Sequence, residues 1–344
     1  MDALVVEPGV PHSARVEGLP PARENGVSVR VLEVGVCGTD REISEGVFGV
    51  APEGERTLVL GHELLGRVEN DGHGFSRGDL VTATVRRSCG RCRACADGSP
   101  DACLTGDYAE RGITRLHGFA REVVVEDAEQ LIPVPRELGR LGVLAEPASV
   151  CARAVRHARA IGGRQPWRFE RALVIGGGAV GMLATMFLRL EGVDVTTASL
   201  EPANAVADAV GARYVSTEET PLDELGRFDL VLEAAGSAQA MAASLGLLRR
   251  SGVACLVGID PRKQLVALDG PTLGVDTILE NRVLFGSVNA HPQDYLAAVA
   301  QLARVRTTWP GALDLLVALR VPLDRFADAF AHRGGKATLV LDDS

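Results

Sequence analysis

Four cysteines stand in the pattern Cys89-x2-Cys92-x2-Cys95-x7-Cys103, within 15 positions of a 344-residue chain. Thiolates held this closely suit a tetrahedral, coordinatively closed zinc site or an iron–sulfur cluster. Metal binding there is coupled to ordering of the loop, so such a site contributes fold stability. Four unligated thiols in a loop would serve no packing purpose. A second stretch, Arg171-Ala-Leu-Val-Ile-Gly-Gly-Gly-Ala-Val-Gly181, carries Gly176-x-Gly178-x-x-Gly181 between an apolar run and a helical pattern over Met182–Leu190. That order suits a dinucleotide pyrophosphate. Gly176 makes the tight turn, Gly178 lets the backbone approach the phosphates, and Gly181 lets the helix pack on the strand. The helix start, with Ala179 and Val180, supplies free N–H groups and positive dipole.

The elements that must position these groups fall into two halves. Val27–Val34 alternates as a strand and Val34–Asp40 follows as a turn. Leu58–Val68 and Gly78–Val85 are further apolar β-rich runs, and this half reads as a barrel-like domain. From Glu146 to His157 the pattern becomes helical. Strands are then expected at Ala172–Ile175, Asp194–Ser199, Asp229–Ala234, Gly252–Gly258 and Arg282–Ser287. Helices are expected at Ala203–Gly211, Ser237–Arg249 and Gln293–Arg304. Such alternation implies a doubly wound parallel sheet. Val321–Phe330 reads as an amphipathic helix, and Ala337–Leu341 as a strand returning to the first domain.

Composition narrows the function class. The net charge is −9, from 36 basic and 45 acidic residues, which argues against nucleic acid and against an anionic membrane surface as partners. The N-terminus lacks a basic run before an apolar core, and no apolar stretch approaches the ~20 residues of a membrane span. A cytoplasmic protein is the expectation. In that setting a cysteine cluster is a metal site before it is a set of disulfides. Cys151 and Cys255 read as small core residues.

Val36-Cys37-Gly38-Thr39-Asp40, Gly61-His62-Glu63, the four-cysteine lobe and the glycine turn occur in that order. Across essentially the whole chain this resembles the zinc-dependent medium-chain alcohol dehydrogenase family. The resemblance implies an α/β chain with a GroES-like, β-rich catalytic domain, residues 1–147 and 291–344, and a Rossmann nucleotide domain, residues 148–290. It implies zinc at Cys89, Cys92, Cys95 and Cys103, and a catalytic zinc on Cys37 and His62. The usual third ligand is a cysteine, and Glu146 stands in its place, as in the polyol and sugar dehydrogenases of the family. Glu63 adjoins His62 and either alternates with Glu146 on the metal or serves it through water. Two anionic ligands offset the zinc charge, and three protein ligands leave one position open.

Glu110-Arg-Gly-Ile113, His117-Gly-Phe119, Gly286-Ser-Val-Asn289 and Asp324–Phe330 narrow the resemblance to the archaeal-type glucose dehydrogenase branch, whose members oxidise aldoses at C1. There, the counterparts of Glu110 and Asn289 contact the sugar or the nicotinamide side. Each buried sugar hydroxyl left unpaired costs about 1–3 kcal/mol, so such polar groups fit a polyhydroxy substrate. His117 and His291 read as loop residues and not ligands. The implied reaction is zinc-assisted loss of hydride to nicotinamide, with Thr39 relaying the hydroxyl proton. Another polyol, a cyclitol or a biosynthetic secondary alcohol is the near alternative. A non-catalytic zinc- and nucleotide-binding relative is the distant one.

The cofactor is NADP or NAD. An NAD enzyme usually carries an acid where the second strand ends; here Ser199 stands at that place and Glu201 just beyond it. The lean is to NADP or dual use. The family forms dimers or tetramers through an edge of the nucleotide sheet, and Arg282–Ser287 is the candidate edge for a homodimer or homotetramer.

Overall fold

The computed structural model describes residues 1–20 and 25–343. Two compact units emerge: residues 1–149, 289–303 and 317–344 form one, and residues 150–288 and 304–316 the other.

The first unit is built on a mixed sheet around the long strand Val27–Val36, whose apolar positions are buried along its length. Glu63–Val68 and the C-terminal strand Lys336–Val340 flank it, both antiparallel. This pairing sets Ala337 opposite Val36 and Glu63 opposite Gly35, so the chain's last strand lies beside the expected metal ligands. Leu58–Val68 is not one strand. Gly61 adopts a φ of +88°, which splits it into Leu58–Val59 and Glu63–Val68 and leaves His62 at the break. Backbone also packs closely here. A Cβ on Gly112 or Gly118 would meet the Gly61 carbonyl oxygen at 2.5 or 2.3 Å, so the 110–119 loop lies directly on Gly61–His62.

The second unit carries a six-stranded parallel sheet. Its order is Arg213–Ser216, Asp194–Ser199, Arg171–Ile175, Phe228–Glu233, Leu248–Leu256, Val283–Gly286. Counted along the chain this is 3-2-1-4-5-6, the doubly wound Rossmann order. Leu173, Val231 and Ala254 are fully buried between the strands and their helices. Full burial of side chains such as leucine and valine stabilises by about 1.5–3 kcal/mol each.

Several sequence expectations change. Val34–Asp40 is not a turn: the strand runs to Val36, and a helix, Gly38–Ser44, begins with Cys37 as its N-cap. The nucleotide helix starts at Ala179, three residues earlier than expected. The Ser237–Arg249 helix is only Ala238–Ser244, because Gly246 follows and the chain is already in the Leu248–Leu256 strand. Val321–Phe330 is a strand end followed by a short helix. Val317–Pro322 extends, as the valine-rich run ending in proline favours, and only Phe326–Ala331 is α-helical. The helix Ala312–Leu316 packs on Ala205–Ala209, so 304–316 groups with the second unit and not with the rest of the C-terminal segment.

Candidate metal and nucleotide sites

Cys37, His62 and Glu63 come together although two elements supply them. Their ligand atoms lie within 4.8 Å of one another. Cys37 is placed by the N-terminus of the Gly38–Ser44 helix, where its N–H donates to Asp40 Oδ2 at 2.8 Å. Asp40 reaches onward: Oδ1 accepts from Gly61 N at 3.3 Å and lies 3.4 Å from His62 Nδ1. A carboxylate behind the outer ring nitrogen is the usual support for a metal-bound histidine, and it leaves Nε2 for the metal. Burial works against the charge on His62, yet Asp40 and Cys37 hold its pKa well above the ordinary histidine value. Burial likewise opposes ionisation of Asp40, but His62 and the Cys37 amide keep that carboxyl below its usual range.

Lys336, which the sequence reading did not single out, completes this centre. Its Nζ donates to Glu63 Oε1 at 2.6 Å and to the Val36 carbonyl at 3.2 Å, and the side chain is buried. Burial disfavours its charge, but Glu63 and Cys37 outweigh that and raise the pKa. The signal in the sequence was a lysine opening an apolar terminal strand. Glu146, in the first turn of the Ala145–Gly162 helix, is buried and lies outside the three-ligand cluster. Burial raises it to about 7, with His62 pulling down and Glu63 pushing up. It is therefore a close electrostatic neighbour of the cluster. Thr39 sits in the first turn of the Gly38–Ser44 helix, half-buried.

This donor set fits zinc. Thiol, imidazole and carboxylate are its ordinary ligands. Glu63 Oε2 is buried with no hydrogen-bond partner, which is the kind of orphan a cation satisfies. Cys89, Cys92, Cys95 and Cys103 form the second cluster, again within 4.8 Å. The Cys92–Cys95 and Cys89–Cys95 sulfur separations are 3.4 and 3.9 Å. A tetrahedron with Zn–S bonds of about 2.3 Å puts its sulfurs roughly 3.8 Å apart. Leu104 N–H points at Cys92 Sγ at 3.4 Å. Cys103 is lowered to about 6 by Thr105 and the Cys89 backbone, while burial and Cys92 push Cys95 up to about 12.

At the glycine turn, Gly176 takes a φ of +119°, and a Cβ there would meet the Ala234–Ala235 peptide at 2.9 Å. A Cβ on Gly181 would lie 2.0 Å from the Gly176 carbonyl oxygen, so helix and turn pack in contact. Gly178 caps the helix and has open space before it. Ala179 and Val180 form the first turn. Asn204 Nδ2 donates to the Gly177 carbonyl at 3.2 Å while its Oδ1 caps the Ala205–Ala209 helix. Ser199 donates to Glu201, whose side chain is exposed at the strand end.

The two expected sugar contacts have distinct settings. Glu110 is no solvated charge: Arg86 grips its Oε1 through Nε at 3.0 Å and a terminal nitrogen at 2.9 Å. Asn289 has a φ of +66°, and its Nδ2 is buried without a partner beside a cavity of about 470 Å³. His117 accepts from Val59 N and contacts Glu55, and Cys151 and Cys255 are buried in the second unit.

Comparison with known proteins agrees with this geometry. Residues 23–136 match the model of the alcohol dehydrogenase GroES-like domain, and residues 139–342 that of the glucose dehydrogenase C-terminus. Glucose 1-dehydrogenase of Methanocella arvoryzae is 39% identical over 338 residues, covering 94% of both chains. That of Thermoproteus tenax is 39% identical over 355 residues, covering 99% of both. Among solved structures, glucose dehydrogenase of Haloferax mediterranei in complex with NADP, Zn and gluconolactone superposes with a TM-score of 0.91 at 30% identity, over 100% of each chain.

Proposed function

Because the chain belongs to the zinc-dependent medium-chain alcohol dehydrogenase family, in its glucose dehydrogenase branch, we propose that it oxidises C1 of an aldose such as glucose to the lactone, with NADP or NAD as acceptor. The observation that carries this reading is the Cys37–His62–Glu63 cluster with buried Glu146 as its neighbour, in a chain similar end to end to glucose dehydrogenases. When bound, zinc supplies Lewis acidity and the nicotinamide a hydride acceptor.

The chain's own residues do the rest. Cys37, His62 and Glu63 hold the metal, with Glu146 as the second carboxylate of the centre. Asp40 fixes the His62 ring, and Lys336 holds Glu63. Thr39 carries the proton of the C1 hydroxyl towards solvent. Glu110 and Asn289 take the remaining sugar hydroxyls. Cys89, Cys92, Cys95 and Cys103 hold a structural zinc. Gly176, Gly178 and Gly181, with the Ala179–Val180 amides, cradle the pyrophosphate, and Ser199 and Glu201 face the adenosine ribose.

Two coarser properties extend the proposal. Val283–Gly286 is an edge strand, and Ile278, Leu279, Leu284 and Val288 nearby are exposed, which supports a homodimer or homotetramer through this edge. Light scattering of the purified protein reads this directly. Among the described residues no helix is long and apolar enough to cross a membrane, and all seven cysteines are free, which supports a cytoplasmic setting.

Cofactor reduction with a panel of aldoses, polyols and simple alcohols tests the function. Turnover with glucose and near-silence with simple alcohols is expected. Selective use of another polyol would reassign the substrate. Silence throughout, with zinc and nucleotide bound, would overturn an enzymatic reading.

A further inference from the structure

Both residues read as sugar contacts are tied to the same short turn of the four-cysteine lobe. Arg86, whose Nε and one terminal nitrogen grip Glu110 Oε1, donates from its other terminal nitrogen to the Asp101 carbonyl at 2.8 Å. The guanidinium also lies 4.0 Å over the Tyr108 ring, and its side chain is only 9% exposed. Held on three sides, it has little freedom. Its two contacts to Glu110 fall on one oxygen, so Oε2 is left for a hydroxyl.

Asn289 is tethered from the other direction. Two residues on, His291 Nδ1 accepts from Gln293 N at 3.1 Å, which fixes the ring proton on Nε2, and Nε2 donates to the Gly98 carbonyl at 2.9 Å. Ala290 between them is buried against Ile132 and Tyr295. Asn289 is therefore pinned just ahead of a fixed pair, in a left-handed backbone conformation that a non-glycine residue rarely adopts. Ser88 hydroxyl donates to the carbonyl of Pro100, between the other two anchors.

We propose that the Gly98–Asp101 turn of the four-cysteine lobe is the template that sets sugar affinity, positioning Glu110 through Arg86 and Asn289 through His291. The lobe then does more than stabilise the fold. Arg86 and His291 are positioning residues: they touch the carbonyls of the turn and act on sugar through their neighbours. This rests on reading Glu110 and Asn289 as sugar contacts.

The test uses the zinc-loaded, full-length enzyme with His291→Leu and Arg86→Met, and the milder His291→Gln and Arg86→Lys in case the first pair folds poorly. Glu110→Gln and Asn289→Ala serve as controls on the underlying reading. Glucose KM, kcat, calorimetric glucose affinity, nucleotide affinity, zinc content and Tm are measured for each. The expected result is a rise of about tenfold in glucose KM and in the calorimetric dissociation constant for His291→Leu and Arg86→Met. Nucleotide affinity and zinc content stay at wild-type values, kcat changes little, and the milder variants lie in between. A lowered Tm with unchanged glucose affinity overturns the proposal, because the contacts would then be structural only. Joint loss of zinc, kcat and nucleotide affinity overturns it as well. If Glu110→Gln and Asn289→Ala leave glucose affinity unchanged, the sugar-contact reading falls and takes the proposal with it. If those two weaken sugar binding and the Arg86 and His291 variants do not, only the positioning role fails.

Discussion

The two cysteine-containing clusters solve opposite problems. The four-cysteine lobe draws all its donors from 15 consecutive positions, on a partly exposed loop. The Cys37–His62–Glu63 cluster is assembled from a helix N-cap and a strand start, with Glu146 and Lys336 from distant parts of the chain as neighbours. At the lobe, four sulfurs would close the coordination sphere of a bound zinc, with no further ligand needed. At the buried cluster, four acidic groups (Cys37, Asp40, Glu63 and Glu146) stand close to one histidine, one lysine and the half-buried Arg41. With Glu63 Oε2 left unpartnered, that group suits a dication, and it must be supported by the fold. A closed site can be local, whereas an open, reactive one has to be held from several directions.

If this contrast is right, the largest effect comes from Cys37→Ser. Turnover is expected to fall by about a thousandfold or more, since Lewis-acid stabilisation is worth several kcal/mol in the barrier. Bound zinc drops from two per chain to one, while nucleotide binding, followed by fluorescence titration, persists. Near-wild-type turnover in this variant would sink the assignment of the cluster. Cys103→Ser is the mirror experiment. It is expected to reduce stability by several kcal/mol in chemical denaturation, because metal binding there is coupled to ordering the lobe. The folded fraction keeps its kcat and the Cys37 zinc. Should Cys103→Ser abolish kcat in protein that is still folded, the two clusters do not divide labour in this way.

Lys336→Met probes the support of the buried cluster alone. Removing one partner of a buried ion pair leaves an uncompensated charge, so a stability loss of about 3–5 kcal/mol is expected. Lys336→Arg is expected to recover part of it. Denaturation midpoints equal to wild type would mean that Glu63 does not depend on Lys336 in the folded chain.

How much of this was readable beforehand follows the same division. The lobe and the glycine turn were legible because their chemistry is written at short spacing, and the strand–turn–helix context supported the second. The Rossmann sheet was legible through its alternating strands and helices. Cys37, His62 and Glu146 needed the family resemblance, since nothing in their own spacing links them. Lys336 was illegible: 273 positions separate it from Glu63, and they meet only because their two strands both pair with Val27–Val36. Arg86 was equally hidden, because it meets Glu110 across a two-strand pairing that the motif-like sequence around it does not announce. The Val317–Pro322 strand was missed because the helical pattern of Val321–Phe330 drew its last two residues into a helix, and Val317–Arg320 alone was too short to be assigned an element.

The smallest predicted effect lies in the second unit, where no metal is involved. The hydroxyls of Ser199 and Tyr214 stand within about 3.2 Å of where a Cβ on Gly177 would lie, and Ser199 also donates to Glu201. No lysine or arginine occurs from Ser199 to Ala212. A 2′-phosphate arriving there would meet a carboxylate and no nearby cation from this stretch. At about 4 Å in water-like surroundings that repulsion is about 1 kcal/mol, a penalty on NADP of up to about tenfold that runs against the lean drawn from Ser199 at the strand end. Glu201→Ala should therefore raise kcat/KM for NADP relative to NAD by up to about tenfold, leaving sugar KM and zinc content untouched. An unchanged ratio would mean that Glu201 is turned away from the ribose, and nucleotide choice would have to be sought outside this strand end.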